Sequence, residues 1–243
     1  MSISRFQAFS DGVFSILITI LVLNFSIPAY TAGHLAAAVV NQWPTMAAYV
    51  VSYFYVGTLW LFHHDYFNTL TRIDRNVNML NLLILFSITL IDYPMSLVAH
   101  TLAIRNTQDM RVAFILYDLV ALFVSLTFFL MYVYLHRHMD LKAPHVTTDF
   151  YTTIKFDPLR SVAIYGASII AAFFSIPLSA LLLVLGILFH FFAYLRMSGN
   201  LRKAKPIPGT AAAVPGRKEI IIYWQKPESH STASPSIAHS PRL

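Results

Sequence analysis

Apolar residues run along this chain in six long blocks separated by short polar stretches. They fall at about 6–27, 43–64, 77–100, 111–135, 158–175 and 177–196. Wound as helices, blocks of this length cross about 30 Å of hydrocarbon. The pattern therefore predicts an all-α, polytopic membrane protein with six transmembrane helices.

Prolines punctuate the blocks. The first ends at Pro28. The second opens at Trp43-Pro44, where a first-turn proline loses no hydrogen bond. The third contains Pro94, which a membrane helix tolerates if neighbours satisfy the freed carbonyl. Asp157-Pro158 reads as an N-cap with an N1 proline. Ser175-Ile176-Pro177 reads as a tight hairpin. In the fifth block, Ala163, Ala167 and Ala171 lie at i, i+4 spacing beside Gly166, Ser168 and Ala172, which predicts a close-packing stripe.

Composition agrees with the pattern. Of 243 residues 57% are hydrophobic and 12% charged, against about 25% charged in a soluble domain. No cysteine is present, so disulfides, thiolate metal sites and cysteine nucleophiles are excluded. The first block carries Asp11 and no small-residue cleavage pattern, and reads as a retained helix. The formal charge of +6 is not read as nucleic-acid binding, because topology accounts for the basic residues. With the N-terminus inside, 15 of the 17 Lys and Arg fall on inner segments and only Arg105 and Arg111 outside. That asymmetry predicts both termini in the cytoplasm. Residues 197–243 change composition and read as a basic, largely disordered cytoplasmic tail after a 1–196 transmembrane domain.

The candidate chemistry starts in the first block, Arg5 to Leu23. A carboxylate at the mouth of a membrane helix is costly and marks a function. Below it, Gly12, Ile16, Thr19, Ile20 and Leu23 share one helical stripe. Periodicity leaves open whether this stripe meets lipid, other helices or a pore. Asp92 and Asp118 both lie roughly 12 Å below the outer surface. Close together they would share a proton; apart, each would bond a local Tyr, Ser or Thr. His63 and His64 point about 100° apart and cannot ligate one metal from one face. A His63–His190 haem pair is the remaining histidine reading. No nucleophile–base pair, phosphate loop or metal-spaced cluster is evident, so no enzyme activity, cofactor or metal is expected.

One motif narrows these readings. Arg5-x-x-x-Phe9-Ser10-Asp11-Gly12 resembles the Arg-x-x-x-Phe-Ser-Asp signature of the transmembrane protein 175 family of potassium channels. Tyr49 to Ser52, Val56-Gly57, Trp60 and His63-His64 look like that family's second helix. Asn81-Leu82-Leu83 leading to Pro94 is similar to its third, although Ile91-Asp92-Tyr93-Pro94-Met95-Ser96 departs from the family's Pro-Phe-Pro-Thr stretch by losing a proline and gaining a carboxylate. The resemblance covers about residues 5–196. It implies a bacterial-type homotetramer in the plasma membrane, passing potassium, with sodium or protons as further candidates, through a central pore lined by the first helix. It puts the constriction at Ile16, with Ile20 and Leu23 beyond it and Thr19 as the polar group at that depth. It makes Arg5, Ser10 and Asp11 anchors of the pore helix, with no re-entrant filter loop. A proton-coupled secondary transporter using Asp92 and Asp118 is the alternative.

Overall fold

The computed structural model describes residues 3–143 and 157–203. The first helix, α1 (Ile3–Ile20), tightens into a 3-10 turn at Leu21–Asn24. A short α2 (Leu35–Val40) precedes α3 (Trp43–Phe67). Next come α4 (Arg75–Thr89), α5 (Asp92–Ile104) and α6 (Thr107–Arg137), then α7 (Asp157–Ala172) and α8 (Ile176–Lys203). No strand occurs among the described residues; Leu70 and Lys142 form an isolated antiparallel bridge. Five stretches are long and apolar enough to cross a membrane, with α4 and α5 together forming one; the apolar part of α7 is the shorter sixth.

The expected single helix over 77–100 is two. Ile91 and Leu90 donate their amides to Ile88 and Ser87, three residues back. Pro94 explains the break: its ring would collide with the carbonyl four residues earlier, at Leu90, and it has no N–H to give. Three other expectations shift. α1 stops being an α-helix at Ile20, so Leu23 sits on a 3-10 turn and not on a continued α stripe. α8 runs on to Lys203, past the expected end at 196, because Met197 is still packed in the core. Asp157 lies within α7, and Arg196 and Arg160 hold its carboxylate at 2.5 and 3.3 Å. The rest of the expected tail, 204–243, lies outside the described residues.

The close-packing face of α7 also differs. Ala163 and Ala167 are exposed, while Ala171 of the expected stripe is buried together with Ser161, Tyr165, Ser168 and Ala172. The small residue that permits the approach belongs to α8: a Cβ on Gly186 would come within 2.6 Å of the Tyr165 ring. Arg111 of α6 donates to the carbonyl of Ala172 at 3.0 Å, where a cation satisfies the end of α7.

The core has two apolar clusters. One joins Phe14 and Leu17 of α1 and Leu21 of its 3-10 turn to Tyr55 and Leu59 of α3 and Ile88 of α4. The other joins Phe6 to Phe67, Ile84, Leu135 and Met197. Beside the second, the turn after α3 is stitched to the end of α6. Thr71 N–H donates to Leu141 O at 2.9 Å and Ala143 N–H to Thr69 O at 2.8 Å.

Asp74 caps α4 there and accepts from Val77 N–H at 2.8 Å. Its other oxygen accepts from the Tyr134 hydroxyl. Burial pushes the carboxyl up, but the Tyr134 hydroxyl and the Val77 and Asn76 amides pull it below the ordinary aspartate value. A depressed carboxylate stabilises the fold above its unfolded pKa, and this is lost as pH falls through the folded value. Asp74→Ala is therefore expected to cost about 1 kcal/mol at neutral pH, as lost N-caps do. In thermal unfolding scans of detergent-solubilised protein, the gap from wild type should close at acid pH. A gap that persists unchanged there would remove the carboxylate's charge from the explanation.

Candidate functional site

α1 has two faces. Phe6, Ser10, Phe14, Leu17 and Leu21 are buried against α3 and α4, whereas Phe9, Gly12, Ile16, Thr19, Ile20 and Leu23 are exposed. Ile16 is 63% and Leu23 76% exposed. The predicted stripe therefore turns away from the other helices of its own subunit. A Cβ added to Gly12 would meet nothing within 4 Å.

The buried face is held by a one-way chain of hydrogen bonds. His63 Nε2–H donates to Asn81 Oδ1 at 2.7 Å. Asn81 Nδ2 donates to Ser10 Oγ at 3.0 Å, and Ser10 donates to the Phe6 carbonyl at 3.1 Å. Because Asn81 Oδ1 can only accept, this geometry puts the proton on His63 Nε2. Beside the chain, Trp60 Nε1–H donates to Asp11 Oδ1 at 2.9 Å. His64 packs against Trp60 with ring centroids 5.6 Å apart. Phe67 lies over the His63 ring at 4.3 Å and Phe6 packs on Phe67 at 5.0 Å. Arg5 lies at the exposed start of the helix.

The far end of α1 is held by a second set of bonds. Asn24 Nδ2 donates to Asp92 Oδ1 at 2.8 Å, and Ser96 Oγ donates to Asn24 Oδ1. The carboxylate that departs from the family pattern thus pairs with the end of α1. Sequence reasoning missed Asn24; the signal was an amide closing an apolar run. It quoted Asn81 as part of a motif and did not give it this bridging place.

Asp118 lies elsewhere. It is buried, accepts from Ser168 Oγ at 2.7 Å, and Ser168 also lies 3.3 Å from Ser179 Oγ. No hydrogen bond joins Asp92 to Asp118: each has its own partners. His63 and His190 are likewise separate, since His190 Nδ1 is engaged with Gly186 O and Tyr165.

On the exposed stripe, Thr19 donates its proton to its own helix, at 2.7 Å from Ile16 O and 3.1 Å from Ser15 O. A hydroxyl has one proton and two lone pairs. Among the described residues the remaining acceptor capacity of Thr19 Oγ1 is uncommitted, beside the branched apolar side chains of Ile16 and Ile20.

These helices define a multi-pass, all-helical membrane protein whose first helix is pinned from within and bare on its outer face. Comparison with known proteins gives the family. The family model described as "Endosomal/lysosomal potassium channel TMEM175" matches residues 5–91. A potassium channel of Streptomyces collinus is 35% identical over 214 residues, 87% of this chain and 97% of that protein. The crystal structure of a lysosomal potassium-selective channel TMEM175 homologue from Chamaesiphon minutus superposes with a TM-score of 0.67 at 27% identity, covering 79% of this chain and 97% of the other. A human endosomal/lysosomal proton channel TMEM175 is 34% identical over 92 residues, 34% of this chain but 18% of that protein. The chain belongs to the TMEM175 potassium-channel family, a family of channels and not of enzymes.

Proposed function

We propose that this protein is a potassium-permeable cation channel, assembled as a homotetramer around the exposed stripe of α1. The observation that carries the reading is the division of α1 into a face pinned by Asn81, Trp60 and Asp92 and a face left exposed among the described residues. Four copies of the bare face around an axis stack rings of Ile16, Ile20 and Leu23. Such a narrow apolar tube gates by expelling water. Thr19 supplies an oxygen to a partly dehydrated cation at that depth. Arg5, Ser10, Asp11, Trp60, His63 and His64 belong to the support of the helix and not to ion coordination. The excess of Lys and Arg on one side supports cytoplasmic termini, and the likeness to a bacterial relative supports a bacterial plasma membrane.

The alternative, a proton-coupled transporter, asks Asp92 and Asp118 to share a proton. Their separate partners speak for the channel. Planar-bilayer recording of purified protein in asymmetric potassium and sodium tests the choice. Unitary current steps reversing toward the potassium potential are expected; saturable coupled flux without steps would count decisively against a channel.

A further inference from the structure

A cavity lies between α3, α6, α7 and α8, away from the stripe of α1. Its walls include Phe62, Tyr66, Phe128, Tyr132 and Phe189. Its length follows from the helices. Leu59 to Tyr66, Ser125 to Tyr132 and His190 to Met197 each span the same number of residues along the wall, and each step gives about 10 Å of rise. Along its walls the slot is thus about 10 Å long.

Its two ends differ. At the end where α3, α6 and α8 finish, Asp157 lines the cavity, and its carboxylate is already met by Arg196 and Arg160. A ligand needs no charge to sit beside it. At the other end, Ser125 lines the cavity. It is 2% exposed, and its hydroxyl has no hydrogen-bond partner among the described residues. A buried hydroxyl without a partner is costly. His190 lines the same end. Gly186 O can only accept, so the 2.8 Å contact puts a proton on His190 Nδ1. In the neutral ring Nε2 then carries a lone pair, and no described residue bonds to it. This end therefore carries a hydroxyl without a partner and a ring nitrogen with a free lone pair, both on the wall of one cavity lined by aromatic rings.

We propose that this cavity is a binding site for a neutral, hydroxyl-bearing aromatic molecule of phenol type. Its O–H donates to His190 Nε2, its oxygen accepts from Ser125 Oγ, and its ring and short alkyl chain lie between the Phe and Tyr walls. The site stands on α3, α6, α7 and α8 and needs no assumption about the pore.

The probe pair is 4-propylphenol and propylbenzene, titrated against the full-length protein in lipid nanodiscs by ligand-observed NMR. Propylbenzene partitions more strongly into lipid, so simple partitioning favours it. The proposal expects saturable binding of the phenol, about tenfold tighter than the hydrocarbon. It expects Ser125→Ala to weaken the phenol about threefold and leave propylbenzene unchanged, since one net hydrogen bond is worth about that factor. Ala193→Phe, which fills the slot, should abolish saturation. Phenol and hydrocarbon binding alike to the wild type, or uptake that never saturates, would overturn the proposal. So would unchanged phenol affinity in Ser125→Ala. The wild-type comparison stands even if a variant fails to fold.

Discussion

Replacing Ile16 by asparagine is expected to raise unitary conductance on the order of threefold or more and to weaken discrimination between potassium and sodium. An apolar ring excludes ions because water leaves it; four amides at the same height keep it wet. Ile16 is the exposed residue one turn below Gly12, and among the described residues it lies outside the packed core. The substitution should therefore leave the fold of the subunit intact, since exposed changes usually shift stability by less than about 0.5 kcal/mol. That separates the two places the stripe can face. If Ile16 points at lipid, asparagine lowers insertion and yield while conductance and selectivity stay as they were. Normal single-channel behaviour in a well-folded Ile16→Asn protein would take Ile16 out of the constriction.

Asn81→Leu should strike the support of the same helix. Leucine keeps asparagine's number and branching of side-chain heavy atoms, with somewhat more bulk, but neither accepts nor donates. His63 Nε2–H loses its acceptor and Ser10 Oγ its donor, both in the core. Leaving buried polar groups unpaired costs about 1–3 kcal/mol each, while membrane side-chain bonds average nearer about 0.6 kcal/mol. A loss of about 2–4 kcal/mol is expected, with a lower Tm and a smaller assembled fraction on size exclusion. Ser10→Ala is the control: it keeps the His63–Asn81 bond and removes one hydroxyl, and should cost less than half as much. Equal Tm for Asn81→Leu and wild type would show that the chain of bonds does not hold α1.

Much of the architecture is legible without coordinates because membrane spans announce themselves by length. Once water is absent, the backbone must satisfy itself, and a helix of fixed rise follows. What composition conceals is local. Pro94 was visible, but whether it bends a helix or divides it depends on how the chain recovers at Leu90 and Ile91. The small residues of α7 were visible too, yet small size only permits approach. The face is chosen by what arrives opposite, here Tyr165 against Gly186. Asn24 and Asp92 are polar groups from blocks far apart in sequence. No periodicity in either block could pair them, and only the fold brings them within 2.8 Å.

The site divides in the same way. The motif pointed at Ser10 and Asp11, and the partners that receive them, Asn81 and Trp60, came from the second and third blocks. The stripe was legible as a period. That its outer side is bare within the subunit was not, because a single helix does not say where its neighbours stand.

Trp60 of α3, Asn81 of α4 and Asp92 and Ser96 of α5 all hydrogen-bond to α1 or its 3-10 turn. None of these four bonds comes from the α7–α8 hairpin. The family model, matching residues 5–91, stops at the break that separates α4 from α5. The hairpin is fastened instead to α6, where Arg111 donates to the end of α7 and Ser168 to Asp118, so the bonds that seat the first helix and those that seat the hairpin are separate sets.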